Sequence, residues 1–320
     1  FYTQGMAEET SGLSSGILSD ASYLDQAGIV FSESERMLES AMDDLQVQGG
    51  LLFFYVSTSD LTSHMFWRVR DPGHPAPPPE LPPGSDPIRD LYVRLDGMLG
   101  RVRERIGDDA TLLVLSDHGF APYRRSFDVN AWLASEGYLV LSPHAPAEGS
   151  AGAGDIDWEK TRAYGVGFNA LYLNLREREG RGIVEEADAP ELAGEIRGRL
   201  LALVDPATGR RVFRRVDLAS EVYRGDRAHE APDLVLGYER GYRTSAGSAL
   251  LSVGKTILFD NAERWSGDHL MAAELVPGVL LSNRRLRAGG TPSLADLAPT
   301  VLAEFGLTGE NLEGTDLLER

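Results

Sequence analysis

The sequence predicts an α/β fold, and three observations support this class. Short apolar runs recur along the chain and are typical of strands that are covered on both faces. An amphipathic helix pattern separates the first two of these runs. A strand, a crossover helix and a second strand form the unit from which parallel sheets are built. We therefore expect a mostly parallel central sheet whose elements are joined by long surface loops.

Five apolar runs are predicted to be buried strands, and two segments are predicted to be helices. The strands are Leu51–Ser57, Thr111–Ser116, Ala170–Leu175, Asp233–Tyr238 and Gly278–Asn283. In the first helix, apolar residues recur at steps of three and four from Ile88 to Ile106, which gives one apolar face. In the second, DLAPTVLAEFG, Asp296 can cap the helix, Pro299 falls in the first turn and Gly306 can end it.

Two segments interrupt this pattern. Residues 71–86, DPGHPAPPPELPPGSD, are too rich in proline to continue a helix or a central strand. Residues 142–158 begin with SPHAPAEGSAGAGD, whose small polar residues and glycines predict a mobile surface insertion. We find no internal repeat. Residues 1–320 are therefore expected to form a single domain with loop insertions near 71–86 and 142–158.

The composition excludes several classes of partner and site. A net charge of −18 argues against binding to a nucleic-acid polymer, which requires a basic surface. No run approaches the roughly 18 apolar residues of a membrane span. Without cysteine the chain has no disulfide, no thiolate nucleophile and no thiolate zinc ligand. We expect a soluble protein, and the sequence leaves its compartment and its oligomeric state open.

The run LLVLSDHGF, residues 112–120, ends in an acid, an imidazole and a glycine. A buried strand that runs into a polar turn would explain it, with Gly119 supplying the backbone angle. Alternatively, Asp117 and His118 lie at the carboxyl end of a parallel strand, where open α/β sheets place their ligands. This run alone does not decide between the two interpretations.

Two further places carry comparable side chains. In LLFFYVSTSDLTSHMFWR a predicted strand ends near Asp60, and His64 follows four residues later. If a helix begins there, the two side chains lie on one face and can chelate a divalent ion. His269, in WSGDHLM, precedes another predicted strand and would complete a site with Asp60 and His64. Two strands that end in Asp/His pairs are much less expected by chance than one.

The order of these motifs resembles the alkaline phosphatase superfamily, in particular its type I phosphodiesterase and nucleotide pyrophosphatase-like branch. The matching residues are Asp60 and His64 in SDLTSHMFWR, Asp117 and His118 in LSDHGF, and His269 in SGDHL. Two longer stretches, ALYLNLREREGRGIV and the C-terminal DLAPTVLAEFGL, are similar to stretches seen in that superfamily. The resemblance runs over most of the chain and is most specific in LSDHGF and in the ordered set of five ligands.

The resemblance implies an α/β/α sandwich with a two-metal site. Asp60, His64 and His269 would hold one ion, and Asp117 and His118 would hold the other together with an Asp from an earlier strand. A Ser or Thr coordinated to the second ion would attack phosphorus in line. Mixed Asp and His ligation suits zinc, with manganese or iron as rivals. The expected activity is hydrolysis of a small phosphate ester, of the phosphodiesterase or phosphatase type.

The chain departs from the superfamily pattern upstream of Asp60. Residues 1–28, FYTQGMAEETSGLSSGILSDASYLDQAG, contain no apolar strand that leads into an Asp. They also contain no Ser or Thr at a predicted helix start. We therefore assign no catalytic nucleophile in this chain. Because the chain begins at Phe1 without an initiator Met, we interpret it as lacking the N-terminal part of the enzyme.

Three other interpretations stay open. The chain would be a non-catalytic metal-binding module of the same fold if its 320 residues were the whole natural protein, with Asp60, His64 and His269 holding one structural ion. It would be a phosphomutase of the same superfamily if the similarity of LYLNLREREGRGIV extends to function. The Asp/His pairs would be ordinary turn residues only if five coincidences occurred in the right order. A sulfatase is disfavoured, because the chain has neither a Cys nor the Ser motif that such enzymes modify.

The remaining histidines and one acid have weaker assignments. Asp268 precedes His269 and would orient an imidazole. His229, in RAHEAPDLVLGY, precedes a predicted strand and would approach the site. His74 in the proline-rich segment and His144 in the insertion are predicted to be exposed and inert.

Overall fold

The computed structural model describes residues 7–287, 289–309 and 311–319. Its α-helices range from single turns to α2, which spans 29 residues. They are α1 (Thr10–Ser14), α2 (Asp20–Gln48), α3 (Thr58–Phe66), α4 (Pro87–Ile106), α5 (Val129–Ser135), α6 (Ala189–Ala202), α7 (Ala219–Val222), α8 (Ala246–Ala249) and α9 (Leu297–Glu304). Within the described ranges, none of the helices combines the length and the apolar character that a membrane crossing requires.

The strands of the described residues form three sheets. They are β1 (Leu113–Leu115), β2 (Ala121–Phe127), β3 (Ala163–Gly165), β4 (Ala170–Leu173), β5 (Phe213–Leu218), β6 (Leu234–Tyr238), β7 (Gly241–Thr244), β8 (Leu258–Asp260), β9 (Gly267–Asp268) and β10 (Leu280–Ser282). In the first sheet β1 pairs with β10. In the second, β2 lies between β7 and β8 and also pairs with β9. In the third, the order is β3, β4, β6, β5.

The α/β class is confirmed, whereas these ladders do not show a mostly parallel sheet. Parallel pairing occurs between β2 and β7, and the other ladders of the described strands are antiparallel. β3 and β4 are joined by residues 166–169 alone, and so short a connection can only return the chain antiparallel. β1, which we expected in a parallel sheet, pairs antiparallel with β10 from far along the chain.

The helix predicted from Ile88 to Ile106 is α4. Its N-cap Asp86 accepts a hydrogen bond from the backbone N–H of Arg89 at 3.0 Å, and Pro87 occupies the first turn. The helix ends at Gly107, whose φ of +61° lies in the left-handed region that favours glycine. Sequence signals at both ends therefore set the length of this helix.

The predicted strand at Leu51–Ser57 is wrong for the structure. Residues 51–56 form no β-ladder, and Ser57 begins the turn into α3. Exposure still alternates along the segment, because Phe53 is 79% exposed and its immediate neighbours are partly buried. The two-residue periodicity that predicts a strand is present, but no described strand pairs with this segment. Residues 51–56 therefore stay outside the described sheets.

The C-terminal helix α9 forms, and Asp296 has a different role from the predicted one. Its carboxylate accepts hydrogen bonds from the backbone N–H groups of Ser293 at 2.8 Å and Thr315 at 2.7 Å. It makes no side-chain cap to the first turn of α9. Asp296 therefore ties the helix to the segments on both sides of it.

Clusters of buried side chains among the described residues hold these elements together. The largest packs β4, β5 and β6 against α5 and α6, with Phe213 and Tyr238 at most 1% exposed. A second lies beneath α3, where the Phe66 ring centroid lies 5.7 Å from that of Tyr23 on α2. A third joins β2 to residues 271–276. The second and third clusters hold α3 and the region of β9, which carry predicted metal ligands.

The insertion at 142–158 is anchored to the body of the protein, in contrast to the mobile segment we predicted. The backbone of Ala151 exchanges two hydrogen bonds with Val253, at 3.0 and 2.9 Å. Ala151 is fully buried, and Ile156 is 4% exposed. The small residues that indicate flexibility in the sequence allow close packing here instead.

His74, in the proline-rich segment, is half-buried and hydrogen-bonded, so the prediction that it is exposed is wrong. Its Nε2–H donates to the carbonyl oxygen of Tyr123 at 2.7 Å. Its Nδ1 accepts from the backbone N–H of Ala76 at 3.0 Å. Because one ring nitrogen donates and the other accepts, the neutral imidazole satisfies this site. Burial lowers the pKa of His74, although the Tyr123 carbonyl and Asp71 act in the opposite direction.

We expect His74→Leu to destabilise the fold at pH 8 by about 1–2 kcal/mol, through the two lost hydrogen bonds. The folded pKa is below the unfolded value of about 6.5, so the contribution of His74 is present above pH 6.5 and declines as pH falls. The difference in the free energy of unfolding between the variant and the wild type should therefore be smaller at pH 5.5 than at pH 8. Urea unfolding at both pH values measures this. The exposed His144→Leu serves as control, and a constant difference for His74→Leu would contradict the assignment.

Candidate metal site

Three separate parts of the chain bring the predicted ligands to one place. α3 carries Asp60 and His64 at positions i and i+4, on one face of the helix. The segment after β1 carries Asp117 and His118. His269 directly follows β9, which pairs with β2. Pairing of distant segments, rather than closeness in sequence, therefore assembles the cluster.

The carboxylate of Asp60 lies at the centre of three imidazoles. His64 Nε2 lies 3.5 Å from one oxygen of Asp60, and His269 Nε2 lies 3.7 Å from the other. His118 Nε2 approaches that second oxygen at 3.9 Å. These separations are too long for direct hydrogen bonds. They are close to the spacing of roughly 3.3 Å between ligand atoms that bonds of about 2.0 Å give around a tetrahedral ion.

Asp60, His64 and His269 meet the geometric requirement for a shared cation. Their nearest ligand atoms all lie within 4.8 Å of one another. His64 is 3% exposed, while the side chains of Asp60 and His269 are 28% and 25% exposed. The site is therefore closed on the His64 side and open on the other, as a site that admits a small ligand must be.

Asp117 and His118 adjoin this group. The ring of His118 stacks on that of His269 with centroids 3.6 Å apart and planes 13° apart. Asp117 is 65% exposed, and its carboxylate lies 3.6 Å from His118 Nε2. Among the described residues, the group of Asp60, His64 and His269 is the one in which three ligand atoms lie close enough together to share an ion. A second ion held by Asp117 and His118 stays a prediction.

His64 is held in one tautomer by the backbone of β9. Its Nδ1 lies 2.7 Å from the carbonyl oxygen of Gly267, which can only accept, so Nδ1 carries the proton. In the neutral ring, Nε2 then presents its lone pair toward Asp60. A Cβ on Gly267 would lie 2.6 Å from the carbonyl oxygen of Ser63 on α3. Only glycine therefore allows β9 to approach α3 this closely.

Asp268 makes hydrogen bonds on the other side of the cluster. It is 1% exposed, and one oxygen accepts from the backbone N–H groups of His269 at 2.8 Å and Leu270 at 2.9 Å. The other oxygen accepts from Arg243 at 2.7 Å and from the indole N–H of Trp265 at 2.8 Å. The indole in turn stacks on His64 with centroids 3.8 Å apart. Asp268 thus fixes the backbone at His269 and the indole that stacks on the His64 ring.

Residues 24–256 match the family model for type I phosphodiesterase / nucleotide pyrophosphatase. The chain belongs to that family. The family is part of the alkaline phosphatase superfamily that the motifs resemble. A search of curated proteins found no match to the chain.

The range matched by the family model contains four of the five predicted ligands. Asp60, His64, Asp117 and His118 lie within residues 24–256, whereas His269 lies beyond them. The structure nevertheless places His269 against Asp60 and His118. Membership in the type I phosphodiesterase / nucleotide pyrophosphatase family supports a function of the phosphate-ester hydrolase kind.

Burial shifts the pKa of the acid and the pKa values of two histidines of the cluster in opposite directions. It raises the pKa of Asp60 to about 6; His118 opposes the rise, while Asp117, Asp268 and Glu8 add to it. Burial lowers the pKa of His64 to about 4, against the pull of Asp268 and the Gly267 carbonyl. The pKa of His269 is lowered by burial and then by His118. The imidazoles of His64 and His269 therefore favour the neutral form at pH 7, the form that binds metal.

Several supporting residues escaped the sequence analysis. Trp265 and Gly267 stand inside WSGDHLM, beside His269, and that proximity was the signal available for them. Arg243 lies far from every motif and had no such signal. His229 is 71% exposed and contacts its neighbours Asp226 and Glu230. Neither of these contacts involves one of the five predicted ligands, so the structure does not bring His229 to the cluster.

Proposed function

We propose that the protein is a metal-dependent hydrolase of small phosphate esters that works with two divalent ions. The observation that carries the proposal is the arrangement of three imidazoles around the carboxylate of Asp60. Membership in the type I phosphodiesterase / nucleotide pyrophosphatase family supplies the substrate class. We also propose the finer fold, a single α/β/α domain, on the resemblance alone.

The residues fit a divalent cation in both chemistry and charge. Asp60, His64 and His269 would hold one ion, and Asp117 and His118 would contribute to a second. Zinc suits this mixture of carboxylate and imidazole, with manganese and iron as alternatives. The ions would supply positive charge for the phosphoryl oxygens and would activate an oxygen nucleophile. A chain with a net charge of −18 repels phosphate esters at long range, so local cations are needed to bind one.

The residues of this chain would set the geometry of the reaction. Gly267 and Asp268 hold His64 and His269 in fixed orientations through hydrogen bonds to the first ring and to the backbone of the second. Asp117 and His118 stand on the more exposed side, where a substrate would enter. A Ser or Thr nucleophile is expected from the resemblance, and we assign none of the residues to that role.

A one-metal binding module is the second candidate, and one observation favours it. The ligand atoms of Asp60, His64 and His269 lie close enough together to share one ion, whereas Asp117 and His118 belong to no such group of three among the described residues. A protein of this kind would bind one ion and lack hydrolytic activity. A phosphomutase would instead show transfer within a phosphorylated substrate rather than release of phosphate.

The experiment that tests the proposal combines metal analysis with hydrolysis. We expect the purified protein to bind close to two equivalents of zinc or manganese and to hydrolyse bis(p-nitrophenyl) phosphate or p-nitrophenyl phosphate. Treatment with EDTA should abolish the activity, and the same ion should restore it. One bound equivalent without hydrolysis of either compound would favour the binding module. No bound metal at all would contradict the proposal.

Replacement of Asp117 by alanine separates the two proposed ions. Since Asp117 is 65% exposed, we expect Asp117→Ala to change the free energy of unfolding by no more than about 0.5 kcal/mol. We expect it to lower the bound metal from about two equivalents to about one. Equilibrium dialysis with metal analysis measures this, and the exposed Asp96→Ala on α4 is the matched control. An unchanged metal content in Asp117→Ala would refute the second site.

A further inference from the structure

Phe120 is the side chain whose ring meets all three histidines of the cluster. Its ring centroid lies 4.8 Å from that of His64, 5.6 Å from that of His118 and 5.5 Å from that of His269. The planes meet at 75°, 62° and 76°, so each contact is edge to face. Among the described residues, no other Phe, Tyr or Trp ring contacts all three, and that of Trp265 contacts His64 alone of them.

The ladder between β2 and β9 explains why Phe120 lies beside His269. Ala121 pairs with Asp268 in this antiparallel ladder. Phe120 precedes Ala121 and His269 follows Asp268, so the two residues form the next pair in the same register. Side chains that stand opposite each other across an antiparallel pair are close enough to interact. The pairing that delivers His269 to the cluster therefore delivers Phe120 as well.

Two further contacts fix the position of Phe120. The backbone N–H of the preceding Gly119 donates to the carbonyl oxygen of Val276 at 2.8 Å. A Cβ on Gly119 would lie 2.5 Å from the carbonyl oxygen of Pro277, so only glycine allows this approach. The indole of Trp67 stacks on the Phe120 ring, with centroids 5.8 Å apart and planes 21° apart. Phe120 is thus held by its backbone and by its ring.

The ring of His269 depends on such contacts more than the other two rings do. His64 Nδ1 is bonded to the carbonyl oxygen of Gly267, and His118 Nδ1 lies 3.1 Å from that of Gly119. Within the part of the chain that the structure describes, no hydrogen bond reaches the ring of His269, and its Nε2 lies 3.7 Å from Asp60. Stacking on His118 and the edge of Phe120 are left to orient this ring.

We propose that Phe120 is a positioning residue of the metal site, which sets the tilts of the three imidazoles so that their lone pairs converge on the cations. The tilt of a ligating imidazole decides where its lone pair points, and the groups around a ligand commonly fix that tilt. Aromatic rings favour the edge-to-face arrangement seen here, so an imidazole that turned away would lose contact with Phe120. The inference rests on the proposed function, because it requires that the cluster binds metal.

Replacement of Phe120 by leucine separates orientation of the imidazoles from packing. Leucine keeps most of the apolar volume, so the urea midpoint should stay close to that of the wild type, but it has no ring for the imidazoles to meet. We expect zinc affinity, measured by isothermal titration calorimetry, to fall at least about tenfold in Phe120→Leu. Phe305→Leu, at an exposed phenylalanine beyond α9, is the matched control and should leave the affinity unchanged. Phe120→Met gives the same test if the leucine variant does not fold.

Cobalt supplies a readout that a merely structural role would not move. Co²⁺ binds to the same kinds of ligand as zinc, and its visible absorption depends on the geometry of those ligands. We expect the spectrum of cobalt-loaded Phe120→Leu to differ from that of the wild type, and the spectrum of Phe305→Leu to match it. Either a wild-type zinc affinity or a wild-type cobalt spectrum in folded Phe120→Leu would overturn the proposal. A wild type that bound no metal would instead overturn the proposed function, and this inference with it.

Discussion

Asp60→Asn should lower the affinity of the protein for zinc at least about 100-fold and should abolish metal-dependent hydrolysis. Asp60 lies between His64 and His269, with an oxygen within 3.7 Å of each ring, so its removal takes away the anionic ligand at the centre of the cluster. The neutral amide is nearly the same size and leaves α3 intact. Isothermal titration calorimetry with zinc measures the loss, and the exposed Asp96→Asn on α4 is the control.

The same variant should be more stable than the wild type when metal is removed. The folded pKa of Asp60 is about 6, above its ordinary value of 3.8, because burial disfavours the charge. The folded state therefore favours the protonated acid, and stability of the metal-free wild type declines as pH rises from about 4 to about 6. At pH 8 the amide should recover about 1–2 kcal/mol, since solvent screens part of the effect. Urea unfolding in EDTA measures the difference.

These two results together distinguish a ligand from a structural residue. If Asp60 only supported the fold, its replacement would destabilise the protein and leave zinc binding unchanged. If Asp60 is a metal ligand, its buried charge destabilises the metal-free protein, and binding of the cation restores that stability. Unchanged zinc affinity in Asp60→Asn, whatever its stability, would remove the central observation from the proposed function.

The sequence carried enough information for the ligands because each is tied to a local pattern. The Asp60/His64 pair depends only on the i, i+4 spacing of a helix, and α3 forms where that spacing requires it. Asp117 and His118 follow an apolar run that becomes β1. No local signal states which segments pair, so the expectation that these patterns meet at one site rested on ligand-type residues beside predicted strands and on the resemblance.

The parts that were missed depend on long-range pairing. Whether an apolar run becomes a strand is decided by the presence of a partner, and Leu51–Ser57 has none among the described residues. The direction of β1 depends on β10, which lies far along the chain. Arg243 reaches Asp268 because β7 and β9 both pair with β2, a relation that its own neighbours in sequence do not reveal. Composition and periodicity cannot specify such contacts.

Asp268 is the residue whose conservative replacement should disturb both folding and metal binding. In Asp268→Asn, the amide nitrogen would face donors in either orientation, because one oxygen accepts from Arg243 and Trp265 and the other from two backbone N–H groups. Arg243 is 7% exposed and would be left without its counter-ion. We expect a loss of about 3–5 kcal/mol in the free energy of unfolding, because breaking a buried ion pair leaves an uncompensated charge. We also expect zinc affinity to fall about 10–100-fold, because His64 and His269 lose the group that orients them.

The double variant Asp268→Asn/Arg243→Met separates these two effects. Removal of the arginine takes away the uncompensated charge, so much of the lost stability should return. Zinc affinity should stay low, because neither Trp265 nor the backbone of His269 regains the carboxylate that holds it. Urea unfolding and zinc titration on the two variants and on Arg243→Met complete the cycle. If zinc affinity recovered together with stability, Asp268 would act on the metal site only through folding, and its assignment as the residue that positions the histidines would be wrong.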